Sequence, residues 1–325
     1  MSSPKTHIIA TLMQGSWISG QALADAAKIS RTAIWKHIRA LRQEGYEIQA
    51  SSGRGYRLQH MPDRLSAEGV QAGLKTSVLG QDIVYYPHID STQNLAKSLG
   101  EKGALEGTVI LAETQEQGRG RRGRTWAAIP HGVAMSIILR PALPPEQAPH
   151  FPLLAGAAVA RAITKSCGLK PGLKWPNDIL IHGLKVVGIL AELDAEIDRI
   201  NAIYLGIGLN VNAQPHEVPA SLSSLATSLC IQSGQKVDRL HLVQTVLQEL
   251  ESAYKTYQTH GFAPIRQAWK DQSITLGHKI RIVCGETIYT GTALDMLETG
   301  AMLLRTEDNT ELAISAGEVQ LCPQV

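Results

Sequence analysis

From Gly118 to Arg124 the chain reads Gly-Arg-Gly-Arg-Arg-Gly-Arg, placing three glycines and four arginines in one short stretch behind Gln115-Glu116-Gln117. Guanidinium groups grip phosphate or carboxylate oxygens in pairs, and glycine amides let the backbone close on the same anion. Such a loop is expected to be mobile when empty, because its charges repel one another, and to fold over an anionic ligand. It lacks the Gly-Lys-Ser/Thr ending of a Walker A loop, and no helix-forming run follows its glycines as a dinucleotide fingerprint requires. Taken alone, it reads equally well as an exposed basic loop or an RNA contact.

Three further clusters carry polar chemistry. Lys174-Trp175-Pro176-Asn177-Asp178 is followed by Lys185 and then by Gly188-Ile189-Leu190-Ala191-Glu192. Asn177-Asp178 reads as a turn, and Lys185 opens an apolar strand, so its ammonium emerges at the edge of a core. A lysine there can orient a carboxylate and stabilise the charge that develops when it attacks a phosphate. Asp178 can help hold Mg²⁺ on a nucleotide. Lysines in such positions are also common on ordinary solvated surfaces. Asp90-Ser91-Thr92-Gln93-Asn94 lies at a strand-to-helix junction, where Ser91 or Thr92 suits a helix cap or the binding of a small uncharged polar ligand. In Gly206-Ile207-Gly208-Leu209-Asn210-Val211-Asn212 the glycines permit close backbone approach, and Asn210 can read an adenine edge.

The elements that must position these groups alternate between strand and helix. Strands are expected over Asp82–Ile89, Gly107–Glu113, Val133–Arg140, Leu173–Ile181, Lys185–Leu193 and Ala202–Val211. Helices are expected from Ser91 or Thr92 to Leu99, over the alanine-rich Pro152–Cys167, and over Arg239–Thr259, a helix that Gly261 stops. From about Thr275, short apolar runs separated by turn residues predict a small β-barrel.

The first 62 residues have a different grammar. They carry eight basic and three acidic side chains, a net +5, whereas the remainder carries 23 basic against 26 acidic, a net −3. Ile8, Ile9, Leu12 and Met13 follow helical spacing, a second helix runs from Gln21 to Lys28, and Ser30 caps a third. On that third helix Ile34, Ile38 and Leu41 form the apolar stripe, while Arg31, Thr32, Trp35, Lys36, Arg39 and Arg42 occupy the other faces. Gly45 ends it, and Tyr46–Ala50 and Tyr56–Leu58 form a hairpin with Arg54 at its tip. Helix, turn, basic helix and basic hairpin together spell a winged helix-turn-helix, with Ser30, Arg31, Thr32, Trp35, Lys36, Arg39 and Arg54 as DNA-contacting candidates. The plain alternative is a solvated basic helix in a small interaction domain.

Composition sets outer bounds. Of the 325 residues 44% are hydrophobic, ordinary for a globular protein, and no apolar run approaches the ~20 residues of a membrane-spanning helix. The start Met1-Ser2-Ser3-Pro4-Lys5 lacks the apolar stretch of a secretory signal. Cys167, Cys230, Cys284 and Cys322 are scattered without disulfide or metal-ligand spacing. These features predict a cytoplasmic chain with reduced thiols.

Taken in order, Asp90-Ser91-Thr92, Gly118–Gly123, Lys174–Asp178, Lys185 and Gly206–Asn210 resemble the biotin–protein ligase family, and with the winged helix in front the chain resembles its bifunctional ligase and biotin operon repressor members. The resemblance implies a multidomain architecture: a winged helix-turn-helix over 1–62, a mixed-sheet catalytic domain similar to class II synthetases over 63–272, and an SH3-like barrel over 273–325. It implies that biotin and MgATP form biotinyl-5′-AMP, and that biotin then passes to one lysine of the biotin carboxyl carrier protein of acetyl-CoA carboxylase. Ser91, Thr92, Gln93 and Gln115 would line biotin's ureido end. Arg119, Gly120 and Arg121 would close over biotin and the adenylate phosphate, and Lys185 would meet the carboxyl group. Arg121, Arg124, Asn177, Asp178 and Asn210 would handle nucleotide, with Asp178 toward Mg²⁺; the catalytic set would be Lys185, Arg121 and Asp178. The family's adenylate also promotes homodimerisation and binding to biotin operator DNA. Three departures stand out: Gln93 precedes Asn94 where the family often has Asn after Ser-Thr, Ala127-Ala128 follow Trp126 in place of an aromatic residue, and no tryptophan lies between Asn210 and Asp238. A ligand-sensing regulator without catalysis and a lipoate–protein ligase are the competing assignments; an intact Lys185 and arginine loop argue against the first, and the winged helix against the second.

Overall fold

The computed structural model describes residues 3–127 and 129–322. Its contacts divide into two compact units, one of residues 3–75 with 238–244, the other of residues 76–237 with 245 onward.

In the first unit, α1 (Pro4–Leu12), α2 (Gly20–Ala27) and α3 (Arg31–Gln43) precede a hairpin of β1 (Glu47–Ser51) and β2 (Gly55–His60), then α4 (Ala67–Gly73). Serine starts each of the first three helices. The hydroxyls of Ser3, Ser19 and Ser30 accept from the amides of Thr6, Ala22 and Ala33, satisfying donors the helix itself cannot reach. Gly45 ends α3 at φ 96°, and its amide and that of Tyr46 return to the carbonyls of Arg42 and Leu41. Ile34, Ile38 and Leu41 of α3 meet Ile8, Leu12 and Leu23 in the core. The helix-turn-helix and its wing are therefore present as the sequence predicts. Arg42, which is not among the DNA-contacting candidates, donates from Nε and Nη2 to the Ile48 carbonyl at 2.9 and 2.5 Å, tying α3 to the hairpin.

The second unit is built on β3 (Ile83–Ile89), α5 (Thr92–Glu101), β4 (Val109–Gln115), β5 (Val133–Leu139), α6 (His150–Cys167), β6 (Gly172–Lys174), β7 (Asp178–Ile181), β8 (Leu184–Ala195), β9 (Ile200–Leu209) and α7 (Leu229–Ser233). The chain continues with α8 (Arg239–His260), α9 (Ala263–Lys270), β10 (Lys279–Cys284), β11 (Thr287–Met296), β12 (Met302–Thr306), β13 (Glu311–Ile314) and β14 (Glu318–Leu321). A seven-stranded mixed sheet runs β3-β4-β5-β9-β8-β7-β6, and β3–β4 is its parallel pair. The five C-terminal strands make a separate antiparallel sheet in the order β13-β12-β11-β10-β14.

This topology decides where the polar clusters meet. Parallel neighbours joined by a crossover helix end on the same side of a sheet, so the segments after β3 and β4 emerge together. Antiparallel pairing of β5, β9 and β8 brings the end of β9 and the start of β8 to that side too. The apolar α6, buried nearly all round, covers the sheet, as a helix without a polar face must. The single strand expected over Leu173–Ile181 is instead two antiparallel strands, β6 and β7, separated at Trp175-Pro176-Asn177. Proline has no amide hydrogen for a ladder, and the Trp175 ring is fully buried, with its Nε1 donating to the Gly300 carbonyl at 3.0 Å.

Glu251 on α8 is a buried anchor of this unit. Its carboxylate accepts from the amides of Ser77, Val78 and Leu79, the Ser77 hydroxyl and Lys255. Burial pushes its pKa up, but Lys255 and the three amides outweigh that and hold it down at about 2. A depressed carboxylate contributes stability that is present above its unfolded value, near 4.5, and is lost as pH falls towards 2. Glu251→Gln is expected to cost about 2–3 kcal/mol at neutral pH, since an amide cannot accept all these donors. Urea unfolding at stepped pH should show a fall between pH 5 and 2 that the variant lacks; the same slope in both proteins overturns the assignment.

Candidate active site

The converging segments enclose a cleft of about 960 Å³, its open mouth included, with two chemically distinct ends. At one end the groups are uncharged. The Thr92 amide and hydroxyl both donate to Gln115 Oε1, at 2.8 and 2.9 Å. Ser136 Oγ of β5 lies 2.9 Å from both Thr92 Oγ1 and Gln93 Oε1, and Gln93 Nε2 donates to the Tyr204 carbonyl. A connected set of hydroxyls and amides of this kind suits a compact ligand with its own neutral donors and acceptors.

At the other end the lining is cationic. Arg119, Arg121, Arg122, Arg124, Lys174 and Lys185 face two lining carboxylates, Asp178 and Glu318. Every loop arginine is held by an acceptor, so mutual repulsion does not stand uncompensated. Arg119 bonds to Asn94 Oδ1 and pairs with Glu192, and Arg121 donates to Asn177 Oδ1 and the Gly317 carbonyl. Arg122 reaches the Val283 carbonyl, and Arg124 pairs with Glu318. Burial, and then the neighbouring Arg122, lower the pKa of Arg121, with Asp178 and Glu318 opposing the shift. Arg122 sits at φ 55°, a left-handed conformation that non-glycine residues adopt at a cost.

Lys185 is not an ordinary surface lysine. Its Nζ lies 2.6 Å from Asp178 Oδ1, in ion-pair contact without the angle of a hydrogen bond, and Lys174 approaches the other oxygen at 3.6 Å. Trp126 also lines the cleft. Gly188 of β8 and Gly208 of β9 face each other across the sheet, and a Cβ on either would stand 2.5 Å from the indole ring. The two bare backbones thus make the slot that the ring fills, with the Lys185 ammonium 5.4 Å from a ring centroid. Asp178 is a single carboxylate already paired with two lysines, and no cluster of three metal-ligating side chains occurs among the described residues. A lone carboxylate of this kind offers one oxygen ligand to a hard cation.

Residues 85–210 match the model of the biotin/lipoate A/B protein ligase family, and residues 5–57 match an HTH domain. The bifunctional ligase/repressor BirA of Bacillus subtilis is 43% identical over 92% of this chain and 93% of its own length. The Escherichia coli protein of the same name is 30% identical over 97% and 96%. The chain belongs to the biotin protein ligase family. Among solved structures, the Aquifex aeolicus biotin protein ligase in complex with biotin and ATP superposes with a TM-score of 0.65 at 29% identity, covering 75% of this chain and all of that one.

Within this ligase, the cleft gathers most of the residues expected from sequence: Thr92, Gln93, Gln115, Arg119, Gly120, Arg121, Arg124, Asn177, Asp178 and Lys185 all line it. Ser91 and Asn210 are not among the lining residues. Ser91 stands at the start of α5 with its hydroxyl fully buried and without a hydrogen-bond partner among the described residues. Asn210 is buried behind the cleft, its amide 3.4 Å from the Lys185 carbonyl, and so supports the lysine's backbone. Asn177 holds Arg121 and the Ile189 carbonyl. The order Gln93-Asn94 resolves into two tasks, Gln93 lining the cleft and Asn94 bonding Arg119. Of the two alanines after Trp126, Ala127 is exposed and Ala128 lies outside the described residues. Where a covering tryptophan is missing, Leu225 is exposed and its carbonyl accepts from the Lys185 amide. Sequence reasoning did not single out Ser136, Trp126 as a cleft wall, Glu192 or Glu318; the facing glycines Gly188 and Gly208 were the available signal for the ring.

Gly208→Ala is expected to expel the Trp126 ring from its slot while keeping the sheet, because alanine is tolerated in strands. Tryptophan fluorescence should shift relative to the parent, and a Trp126→Phe background should remove that shift. An unchanged spectrum in Gly208→Ala would show that the ring does not depend on the glycine floor.

Proposed function

We propose that the cleft binds biotin by its uncharged end and ATP by its cationic end. The observation that carries this reading is the division of one cleft into a neutral hydrogen-bonding pocket and a cluster of six cations. Biotin has the matching parts: a neutral ureido group, an apolar ring system and a carboxylate. Thr92, Gln93, Gln115 and Ser136 hold the ureido end, and Trp126 packs on the rings. ATP arrives as its magnesium complex, and the metal supplies charge neutralisation on the phosphates when bound. The biotin carboxylate attacks the α-phosphorus, an acyl–phosphate bond forms, and pyrophosphate leaves. Lys185 exchanges Asp178 for the ligand's oxygens and stabilises the charge there, while Arg119, Arg121 and Arg124 exchange their internal acceptors for phosphate. In the second step a lysine amine of a biotin carboxyl carrier protein attacks the acyl carbon and AMP leaves; the chain itself supplies no nucleophile.

The domain reading is 1–62 for DNA, 63–272 for catalysis and 273–325 as an SH3-like barrel, the last supported by the antiparallel strand order and by the register shift in β11 between Ala293 and Asp295. DNA binding by the first unit is supported by exposed Ser30, Arg31, Thr32, Trp35, Lys36, Arg39 and Arg54 on one helix and wing. The adenylate acts as corepressor by favouring a homodimer that spans two half-sites of a biotin operator. No helix among the described residues is long and apolar enough to cross a membrane.

ATP–pyrophosphate exchange tests the enzyme, with biotin and lipoate compared. Exchange with biotin is expected; exchange with lipoate alone removes the biotin assignment, and none with either removes the ligase. Lys185→Ala should lower the biotin-dependent rate about 10²–10³-fold with an unchanged melting temperature, and a near-normal rate would leave Lys185 without a catalytic task. The triple change Arg31→Ala, Lys36→Ala, Arg39→Ala should lower the slope of log affinity for DNA against log salt by about two to three; an unchanged slope counts against contact by α3.

A further inference from the structure

The exposed face of α3 carries one residue that phosphate binding does not explain. Trp35 is 57% exposed, on a face that flanks Ile34, Ile38 and Leu41, which are almost wholly buried. It lies one turn after Arg31 and one turn before Arg39, so the three form a single stripe along the helix. The Arg39 guanidinium carbon stands 5.7 Å from the Trp35 ring centroid, within the range of a cation–π contact. The ring therefore keeps one arginine close while leaving more than half of its own apolar surface facing outward. At the wing, Arg54 is held over Trp17 at 4.5 Å in the same manner, but Trp17 is partly buried.

A large apolar edge set among cations needs a partner that is polyanionic outside and carries apolar groups within reach. The acidic residues of the winged segment do not interrupt this stripe: Asp25 lies on α2, and Glu44 and Glu47 follow the end of α3, where Glu44 pairs with Lys5. Double-stranded DNA meets both requirements in its major groove, where the thymine C5-methyl group is the apolar feature. The A-form groove of double-stranded RNA is too deep and narrow for a helix, and uracil has no methyl group.

We propose that Trp35 is a specificity-determining residue whose indole edge contacts the thymine C5-methyl in the major groove, with Arg39 held against the ring to meet the adjacent phosphate. This rests on the reading of the first unit as a DNA-binding domain and assigns it a base preference. Arg31, Lys36 and Arg39 then provide sequence-independent affinity, and Trp35 provides discrimination.

The full-length protein, with biotin and MgATP present, is used to select duplexes from a pool with a randomised centre. Thymines of the selected duplex are then replaced one at a time by deoxyuridine, which removes only the methyl group. The parent protein is expected to lose about three- to fivefold in affinity at one thymine of each half-site, the size expected for one buried methyl. Trp35→Ala should bind the thymine and deoxyuridine duplexes equally, Trp35→Phe should keep part of the difference, and the salt slope of both should match the parent. Because the side chain is exposed, a melting temperature within a degree or so of the parent is expected for both variants. The proposal is overturned if no position is methyl-sensitive in the parent, or if Trp35→Ala keeps the same sensitivity. A reduced salt slope in Trp35→Ala also overturns it, since that marks an electrostatic role. Failure to select any duplex removes the DNA-binding reading itself, an outcome distinct from methyl-insensitive binding.

Discussion

Four guanidinium groups between Arg119 and Arg124 repel one another, and the second unit is arranged to supply them with acceptors. Two of those acceptors, Glu192 and Asn177, come from the seven-stranded sheet and its margin. Three more, Gly317, Glu318 and Val283, come from the C-terminal sheet, which thereby becomes part of the cleft wall. These partners are carbonyls and two carboxylates, and guanidinium binds carboxylate or phosphate oxygens in the same paired geometry. The loop is thus ordered by internal contacts, and the C-terminal sheet supplies acceptors to it that its own sequence does not announce.

Lys185 is held by an internal contact as well. Asp178 sits against it and is shared with Lys174, so the ammonium is oriented before any ligand arrives. A partly exposed ion pair of this kind is a poor source of stability and a good source of orientation. Asn210 and the Leu225 carbonyl fix the backbone of Lys185 from the other side. The uncharged end works by different means: its hydroxyls and amides satisfy one another, so they remain buried without charge while keeping the geometry of a small polar ligand.

The first unit shows a parallel separation of tasks. Its three serine-capped helices bury one aliphatic core, and the surface of α3 is left to interact with a partner. Two arginines lie over tryptophan rings, and a third, Arg42, is hydrogen-bonded to the Ile48 carbonyl. Net positive charge alone does not distinguish these cases; the backbone acceptor within reach of Arg42 does.

Much of this was legible in the order of residues. Local signals such as Ser30 before α3, Gly45 after it, the i, i+4, i+7 stripe of Ile34, Ile38 and Leu41, and the glycine–arginine loop depend on neighbours close along the chain, so the sequence by itself determined them. Their order also determined the family and most of the cleft's lining. The tertiary structure alone decided what depends on pairing between distant strands. Proline and a buried indole split Leu173–Ile181 into two strands, the register of β8 against β9 set Gly188 opposite Gly208 under Trp126, and Asn210 came to donate to the Lys185 carbonyl. It also decided that Glu318, nearly two hundred residues from Arg124, would be its partner. A residue's spacing in sequence fixes its place on a helix or strand, but which cations find an acceptor is a property of the assembled sheets.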